Sequence, residues 1–582
     1  MLLNLLLAII LTTAPDSVDL KTPYEKGNGN QTTTYQEAID WYTRLDQAYE
    51  EVKMVPYGYT DSGRLLHLVL VSTDKDFAPA SVKQKNKRVL LIQNGIHPGE
   101  PEGIDATMML ARDYLQHKNL RRQLDNVVLA IIPVYNIGGA LNRNSHTRTN
   151  QNGPESYGFR GNARNYDLNR DFIKTDSRNA VLFHHIFRDW DPDVFIDNHT
   201  SNGADYQHVM TLIPTQHNKL HPHLARYLQQ TMLPALYQGM KKGKFPMVPY
   251  MDLRGDTPES GTVAFLESPR YSTGYAALYH TIGFMPETHM LKPFAQRVQA
   301  TYQLMQHMIR TVHRDSDRIA AARAKAKQET LVQQEFALQW QLDTSKVEKI
   351  PFLGYAAKYK PSEVTGQQRL YYDRNAPYPT TIPYYNTFTP TTKVQKPVAY
   401  LIPQAWQEVI EHLKTEKVQL KRLLKDTTIT VENYYIRDFK TSPRPYEGHY
   451  LHSDVQVQTR SMERQFLKGD YVVYLNQETN RYLLETLEPQ ATDSFFNWNY
   501  FDAVLMQKEY FSSYVFEDLA AEILKQQPEL RQQLEKQKQQ DPAFAQNART
   551  QLEFVYRHSR HYEYTHNLYP VARLMQHLKL PL

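Results

Sequence analysis

Short apolar runs alternate with segments of helical spacing over the first half of the chain. Three runs rich in β-branched residues, 88–94, 127–134 and 194–197, are predicted to be central strands of a sheet. Between them, residues 102–117 and 178–187 repeat their apolar positions at helical intervals. This alternation predicts an α/β unit with a mixed central sheet flanked by helices.

The pattern changes in the second half of the chain. Residues 294–329 contain neither Gly nor Pro and predict one long helix that closes the first unit. Tyr, Thr and Pro become frequent after residue 350, and alternating segments such as 428–431 and 471–474 are typical of strands. Helical spacing returns after residue 501. We therefore predict an α/β unit over 20–335, a β-rich accessory region over 350–480 and a mainly helical region over 481–582.

The chain begins with the apolar run MLLNLLLAIIL, which the small residues Thr12, Thr13 and Ala14 follow. This arrangement is typical of a secretory signal peptide, predicted over residues 1–14, although the usual basic residues before the run are missing. The alternative is a buried first strand or helix. Because the run is shorter than the roughly 20 residues that cross a bilayer, we expect a secreted or periplasmic protein with no stable membrane span.

The amino-acid composition excludes several kinds of active site and gives no sign of a nucleic-acid partner. The 582 residues include 67 basic and 62 acidic side chains, a net charge of +5, which gives no indication of a nucleic-acid partner. The cysteine count is 0, and this excludes disulfides, thiolate nucleophiles and cysteine-bound metal centres. Any metal ion would have to be bound by His, Asp and Glu side chains.

Chemically active side chains recur where predicted strands end. His97 and Glu100 form an H-x-x-E motif after the strand 88–94, His199 follows the strand 194–197, and Glu287 ends an apolar segment. The carboxyl ends of strands in open α/β sheets are where ligands bind, so we expect these side chains to share one edge. A single H-x-x-E arises by chance in a chain with 22 His. The ordered set is more specific.

A polar string, NYDLNRDF over residues 165–172, lies between the two histidines. The order H-x-x-E, D-x-N-R, strand ending in His and strand ending in Glu resembles the zinc carboxypeptidases of the carboxypeptidase A-like family, over roughly residues 35–310. The tail from Ser494 onward is similar to the extra C-terminal portion of some large secreted bacterial members of this family. The resemblance implies one Zn²⁺ ion with His97, Glu100 and His199 as ligands and a fourth position left open.

The resemblance also implies roles for residues around the metal. They are Glu287 as general base, Arg160 as the group that stabilises the oxyanion, Asn169 and Arg170 as anchors of the substrate's terminal carboxylate, Tyr271 as a mobile capping residue, and Asp167 as the carboxylate that orients His97. Three positions have competitors. Glu267 competes with Glu287, Arg148 and Arg164 compete with Arg160, and Tyr275 competes with Tyr271.

These features predict a zinc-dependent metallocarboxypeptidase that hydrolyses the C-terminal peptide bond of peptides or proteins by metal-activated water. One alternative is a zinc amidohydrolase that acts on N-acyl amino acids or cell-wall peptides. Another is a catalytically silent peptide-binding protein. Residues after 350 contain no G-x-S-x-G elbow, and the chain has no G-x-x-x-x-G-K-[ST] phosphate loop.

Overall fold

The computed structural model describes residues 19–582, and the predicted signal peptide at 1–14 lies outside them. The chain divides into two compact units. Among the described residues, unit 1 contains 19–395 together with 412–418 and 476–485, and unit 2 contains 396–411, 419–475 and 486–582. The domain limits expected from the sequence stay a prediction.

Unit 1 contains fifteen strands among the described residues. They are β1 (Val52–Tyr59), β2 (Leu65–Val71), β3 (Arg88–Gln93), β4 (Val127–Ile132), β5 (Val194–Asp197), β6 (His199–Ser201), β7 (Met210–Pro214), β8 (Val248–Pro249), β9 (Asp252–Leu253), β10 (Thr262–Val263), β11 (Ile282–His289), β12 (Glu335–Leu342), β13 (Glu348–Pro361), β14 (Gln368–Tyr385) and β15 (Phe388–Gln395).

The helices of unit 1 connect and cover these strands. They are α1 (Pro23–Lys26), α2 (Tyr35–Ala48), α3 (Pro79–Gln84), α4 (Glu102–Gln116), α5 (Lys118–Arg121), α6 (Ile137–Leu141), α7 (Arg178–Trp190), α8 (Pro222–Tyr227), α9 (Leu233–Lys242), α10 (Ser272–Leu278), α11 (Phe294–Arg314) and α12 (Ser316–Val332). A π turn over Leu228–Met232 joins α8 to α9.

A nine-stranded mixed sheet forms the centre of unit 1. Its order is β1-β2-β4-β3-β5-β11-β7-β8, with β6 paired to β11. The strands β4, β3, β5 and β11 run parallel to one another. The pairs β1–β2, β2–β4 and β11–β7 are antiparallel, and β8 runs parallel to β7. Every residue of β3, β4 and β5 is buried, as expected for strands that helices cover on both faces. The mixed central sheet expected from the sequence is confirmed.

The long helix expected over 294–329 is two helices, so that prediction was wrong in this respect. Asp315 separates α11 from α12 and has φ −103° and ψ 16°, outside the helical region. Its carboxylate accepts hydrogen bonds from the Tyr227 hydroxyl at 3.1 Å and from Arg314. Side-chain hydrogen bonds therefore hold Asp315 at the helix break. The spacing of apolar residues does not reveal this break.

Residues after 350 form the expected β-rich and helical regions. Unit 2 and the segments shared with it contain β16 (Ala399–Ile402), β17 (Lys421–Arg422), β18 (Thr427–Thr441), β19 (His452–Phe466), β20 (Tyr471–Tyr474), β21 (Ala572–Leu574), α13 (Gln407–Thr415), α14 (Asn480–Leu487), α15 (Ser513–Gln526), α16 (Pro528–Gln540), α17 (Pro542–Ala545) and α18 (Ala548–Arg557). The six strands form one sheet. No helix within residues 19–582 combines the length and the apolar character that crossing a membrane requires.

Candidate active site

Two neighbouring strand ends bring the three expected metal ligands together. The loop from β3 to α4 carries His97 and Glu100, and His199 begins β6 directly after β5. Because β3 and β5 pair in parallel, both segments leave the sheet at the same edge. The Glu100 carboxylate lies between the imidazoles, with Oε1 at 3.3 Å from His97 Nδ1 and Oε2 at 3.2 Å from His199 Nδ1. All three side chains are buried.

A carboxylate lies against the outer nitrogen of each histidine. Asp167 Oδ1 is 2.9 Å from His97 Nε2, and Asp197 Oδ2 is 2.9 Å from His199 Nε2. These carboxylates favour a proton on each Nε2 and leave each Nδ1 directed at Glu100. Asp197 was not singled out from the sequence, although its position at the end of a predicted strand, two residues before His199, was a usable signal.

The charges of the two carboxylates that face His97 are maintained by their neighbours. Burial alone would raise the pKa of Glu100, but the His97 imidazole and the Arg148 guanidinium hold it well below its usual range. Burial likewise opposes the charge on Asp167, and His97 and Arg160 hold the pKa of Asp167 below its usual range. Both groups are therefore carboxylates.

The donor set fits a zinc ion. Zinc with bonds of about 2.0 to 2.1 Å in a tetrahedron separates its ligand atoms by roughly 3.3 Å, and Glu100 lies at that spacing from both nitrogens. His97 Nδ1 is buried and has no hydrogen-bond partner among the described residues, although Glu100 is beside it. A buried nitrogen without a hydrogen bond is expected where a metal ion binds.

Two arginines reach the Glu100 carboxylate. Arg148 donates to Glu100 Oε1 at 2.8 Å and to the Thr200 carbonyl at 3.1 Å. Arg160 donates from Nε to Asp167 Oδ2 at 2.9 Å, and its Nη1 lies 3.5 Å from Glu100 Oε1. The Arg160 side chain is 44% exposed and that of Arg148 16%, so Arg160 is freer to turn toward a new partner.

The third candidate, Arg164, lies outside this arrangement. Its Nη1 donates to the Asp176 carbonyl at 2.7 Å, and its guanidinium lies over the Tyr166 ring at 4.7 Å. Among the described residues that line the cavity beside the expected metal ligands, Arg148 and Arg160 are present and Arg164 is not.

Asn169, Arg170 and Tyr271 line the same cavity. Asp167 caps the short 3₁₀ turn Leu168–Arg170 by accepting from the Asn169 N–H at 2.9 Å, which holds that turn at the cavity wall. The Arg170 guanidinium lies over the Tyr271 ring at 4.4 Å. The competitor Tyr275 is fully buried, and its hydroxyl donates to Glu416 at 2.9 Å.

Glu287 also lines the cavity. It lies on β11, directly opposite His199 in the parallel pair with β6. Burial raises the pKa of the Glu287 carboxyl above its usual range. The competitor Glu267 is buried, both its carboxylate oxygens have no hydrogen-bond partner in the described chain, and it is not among the described lining residues.

The cavity has a volume of about 590 Å³ and an apolar side that sequence reasoning missed. That side contains Ile213, Tyr250, Phe265 and Met285. Ile213, Tyr250 and Phe265 also line a second, more apolar cavity of about 740 Å³. They come from β7, from loops and from a segment before α10, and no periodicity in the sequence marks them as neighbours.

Comparison with known families agrees with this geometry. Residues 38–228 match the zinc carboxypeptidase family model, which confirms the resemblance carried by the sequence motifs. The matched segment includes His97, Glu100 and His199, and it ends before Glu287. None of the curated proteins compared with the chain matches it.

Solved structures of metallocarboxypeptidases are similar to part of the chain. One is the metallo-carboxypeptidase from Burkholderia cenocepacia, with 16% identity, a TM-score of 0.36, and coverage of 49% of this chain and 70% of that one. The Pseudomonas aeruginosa enzyme in complex with (2-guanidinoethylmercapto)succinic acid has 17% identity, a TM-score of 0.36 and coverages of 50% and 70%. Carboxypeptidase A from Helicoverpa armigera has 17% identity and a TM-score of 0.36, and the match covers 51% of this chain and 75% of that one.

Proposed function

We propose that the protein is a zinc-dependent metallocarboxypeptidase that removes the C-terminal residue from peptides or proteins. One observation carries this proposal. The His97–Glu100–His199 group, the Glu287 carboxyl and the Arg170 guanidinium all face one cavity. A cation for a terminal carboxylate and a base beside a metal site are the parts that exopeptidase chemistry requires.

Arg170 and Asn169 would bind the free carboxylate of the substrate. A guanidinium presents two N–H groups in a plane that matches a carboxylate, so Arg170 would form the main contact. Tyr271 would keep the Arg170 plane oriented by stacking on it, since the two already lie 4.4 Å apart. Recognition of a free carboxylate makes the cleavage specific for the chain end.

Glu287 would move the proton in the hydrolysis. His97, Glu100 and His199 would hold zinc, which supplies a Lewis acid that polarises a carbonyl and lowers the pKa of water. Glu287 would accept a proton from the attacking water and deliver it to the nitrogen of the departing residue as the peptide bond breaks. Arg160 would turn from Asp167 toward the carbonyl oxygen as negative charge develops there.

Matched peptides with free and amidated C-termini test this proposal. The purified full chain, incubated with each peptide and followed by mass spectrometry, should remove single residues from the free form only. Removal should stop with a chelator and return with zinc. Intact peptides alongside hydrolysed N-acyl amino acids would instead establish the amidohydrolase, and peptide binding that survives loss of zinc without any hydrolysis would establish the silent binding protein.

A substitution at Arg170 tests its proposed role in binding the terminal carboxylate of the substrate. Arg170→Ala should raise KM for free-carboxylate peptides by about 10- to 100-fold, because charged hydrogen bonds contribute about 1.5 to 3 kcal/mol. Arg164→Ala removes an arginine that does not line the cavity and should leave KM near the wild-type value. An equal rise in both variants would remove Arg170 from this role.

A further inference from the structure

Unit 1 carries a second group of two histidines and one glutamate. His221 and His223 flank Pro222 at the beginning of α8, and Glu329 lies on α12. Glu329 Oε2 is 3.2 Å from His221 Nε2, and Oε1 is 3.2 Å from His223 Nε2. We name this set the outer group, and His97, Glu100 and His199 the inner group.

The outer group repeats the donor geometry of the inner group. In each, one carboxylate directs its two oxygens at nitrogens of two histidines, at 3.2 Å in the outer group and 3.2 to 3.3 Å in the inner group. These separations match the edge of roughly 3.3 Å expected for ligands around tetrahedral zinc. The three donor atoms of the outer group all lie within 4.8 Å of one another.

A pair of charged histidines explains this arrangement poorly. The imidazole rings of His221 and His223 are stacked, with centroids 5.4 Å apart, so two positive rings would repel each other. The side chain of His221 is 9% exposed, so a positive charge on its ring would also be largely removed from water. Two neutral imidazoles that share one cation with a carboxylate remove both problems.

We propose that His221, His223 and Glu329 bind a second divalent cation, of the class that imidazole and carboxylate ligands prefer, with Zn²⁺ as its representative. The side chains of His223 and Glu329 are 27% and 45% exposed, which leaves solvent room to complete the coordination. This site shares no residue with the catalytic cavity and does not depend on the proposed function.

The cation would hold two distant parts of unit 1 together. His223 and Glu329 are 106 positions apart, so the bond between α8 and α12 closes a long loop of chain. A ligand that binds only the folded state stabilises it by mass action. We therefore expect zinc at the outer group to raise the melting temperature and to leave turnover unchanged.

Neighbouring cations make the outer group the weaker site. Lys325 Nζ lies 3.8 Å from Glu329 Oε1, and Arg226 and Arg318 line the adjoining surface pocket with His223. These positive charges oppose a bound cation. A mild chelator should therefore remove this ion before the ion at the inner group.

Metal counting on the full chain tests the proposal. After equilibrium dialysis against zinc, mass spectrometry of the metal should give two ions per wild-type chain and one in His223→Ala or Glu329→Gln. The control His561→Ala, which removes an exposed histidine from unit 2, should retain two. His199→Ala should retain the ion at the outer group and lose the other.

Glu329→Gln keeps the test valid if His223→Ala fails to fold, because it changes one half-exposed side chain to its isostere. Titration with Co²⁺ in the His199→Ala chain should produce a d–d absorption band, and Glu329→Gln added to that chain should abolish it. A wild-type count of one that falls to zero in Glu329→Gln would support the outer site while the proposed function fails. A count unchanged by both outer-group variants, or the absence of the cobalt band, would overturn the inference.

Discussion

The inner and outer groups share a donor set and differ in everything around it. The ligand side chains of the inner group are 3% exposed, and a carboxylate lies 2.9 Å behind each of its histidines. In the outer group two of three ligand side chains are at least 27% exposed, and a lysine lies beside the carboxylate. Glu287 lies beside His199 on the next strand and lines the same cavity as the inner group.

The difference between the two groups separates what metal binding requires from what catalysis requires. Spacing of donor atoms makes a group able to bind a cation, and both groups have it. Catalysis also needs fixed imidazole orientations, a base within reach and walls that hold a substrate. Under the proposed function, Asp167 and Asp197 would fix the imidazole orientations of the inner group, and Glu287 would be the base.

The largest effect is expected from Glu287→Gln. The amide cannot accept the proton, so kcat should fall by about 10²- to 10⁴-fold, the usual contribution of a general base. The zinc count should stay at its wild-type value, because Glu287 is not one of the expected ligands. The matched Glu267→Gln change lies outside the described cavity lining and should retain most of the turnover. Reversed results would make Glu267 the base.

A smaller effect is expected from Asp197→Asn. The variant weakens the partner of His199 Nε2, so the inner group should come to resemble the outer one. Loss of such an outer carboxylate typically lowers metal affinity by about 10- to 100-fold. Competition with a chromophoric chelator measures this, and Asp40→Asn on the exposed face of α2 provides the control. Unchanged zinc affinity would show that Asp197 has no orienting role.

The smallest effect is expected from Lys325→Gln, which removes a positive charge beside the outer group. An exposed charge pair is worth about 0.2 to 1 kcal/mol, so zinc should bind the outer group about 1.4- to 5-fold more tightly. Isothermal titration at low salt, with the inner group already loaded, measures the change. The control Lys346→Gln removes an exposed lysine that pairs with Asp343 and not with Glu329. Weaker binding in Lys325→Gln would contradict the electrostatic account.

The strands and the inner group were predictable because their signals are local. Apolar runs marked β3, β4 and β5 to within two residues, and strand ends placed His97 and His199 at one edge. The break at Asp315 was not predicted, and one partner of Asp315 there is the Tyr227 hydroxyl from another element. Long-range partners of this kind leave no periodic trace in a single sequence.

The outer group was likewise not predictable from the sequence, because it depends on a long-range contact. The pair His221 and His223 is visible in the sequence, but Glu329 is one of many glutamates on helical segments, and only the packing of α12 brings it near. Tyr250 and Phe265 were missed for the same reason. The inner group differs because two of its ligands are three residues apart.

The interleaved course of unit 1 has a consequence for its synthesis. Glu416, from the segment 412–418, accepts hydrogen bonds from the hydroxyls of Tyr275 at 2.9 Å and Tyr279 at 2.6 Å inside the unit. A ribosome makes this carboxylate more than a hundred residues after both tyrosines. Domains usually fold in order as they emerge from the ribosome, but unit 1 is complete only at residue 485, when a long stretch of unit 2 has already been translated. The incomplete unit 1 is therefore a candidate for chaperone binding during its synthesis.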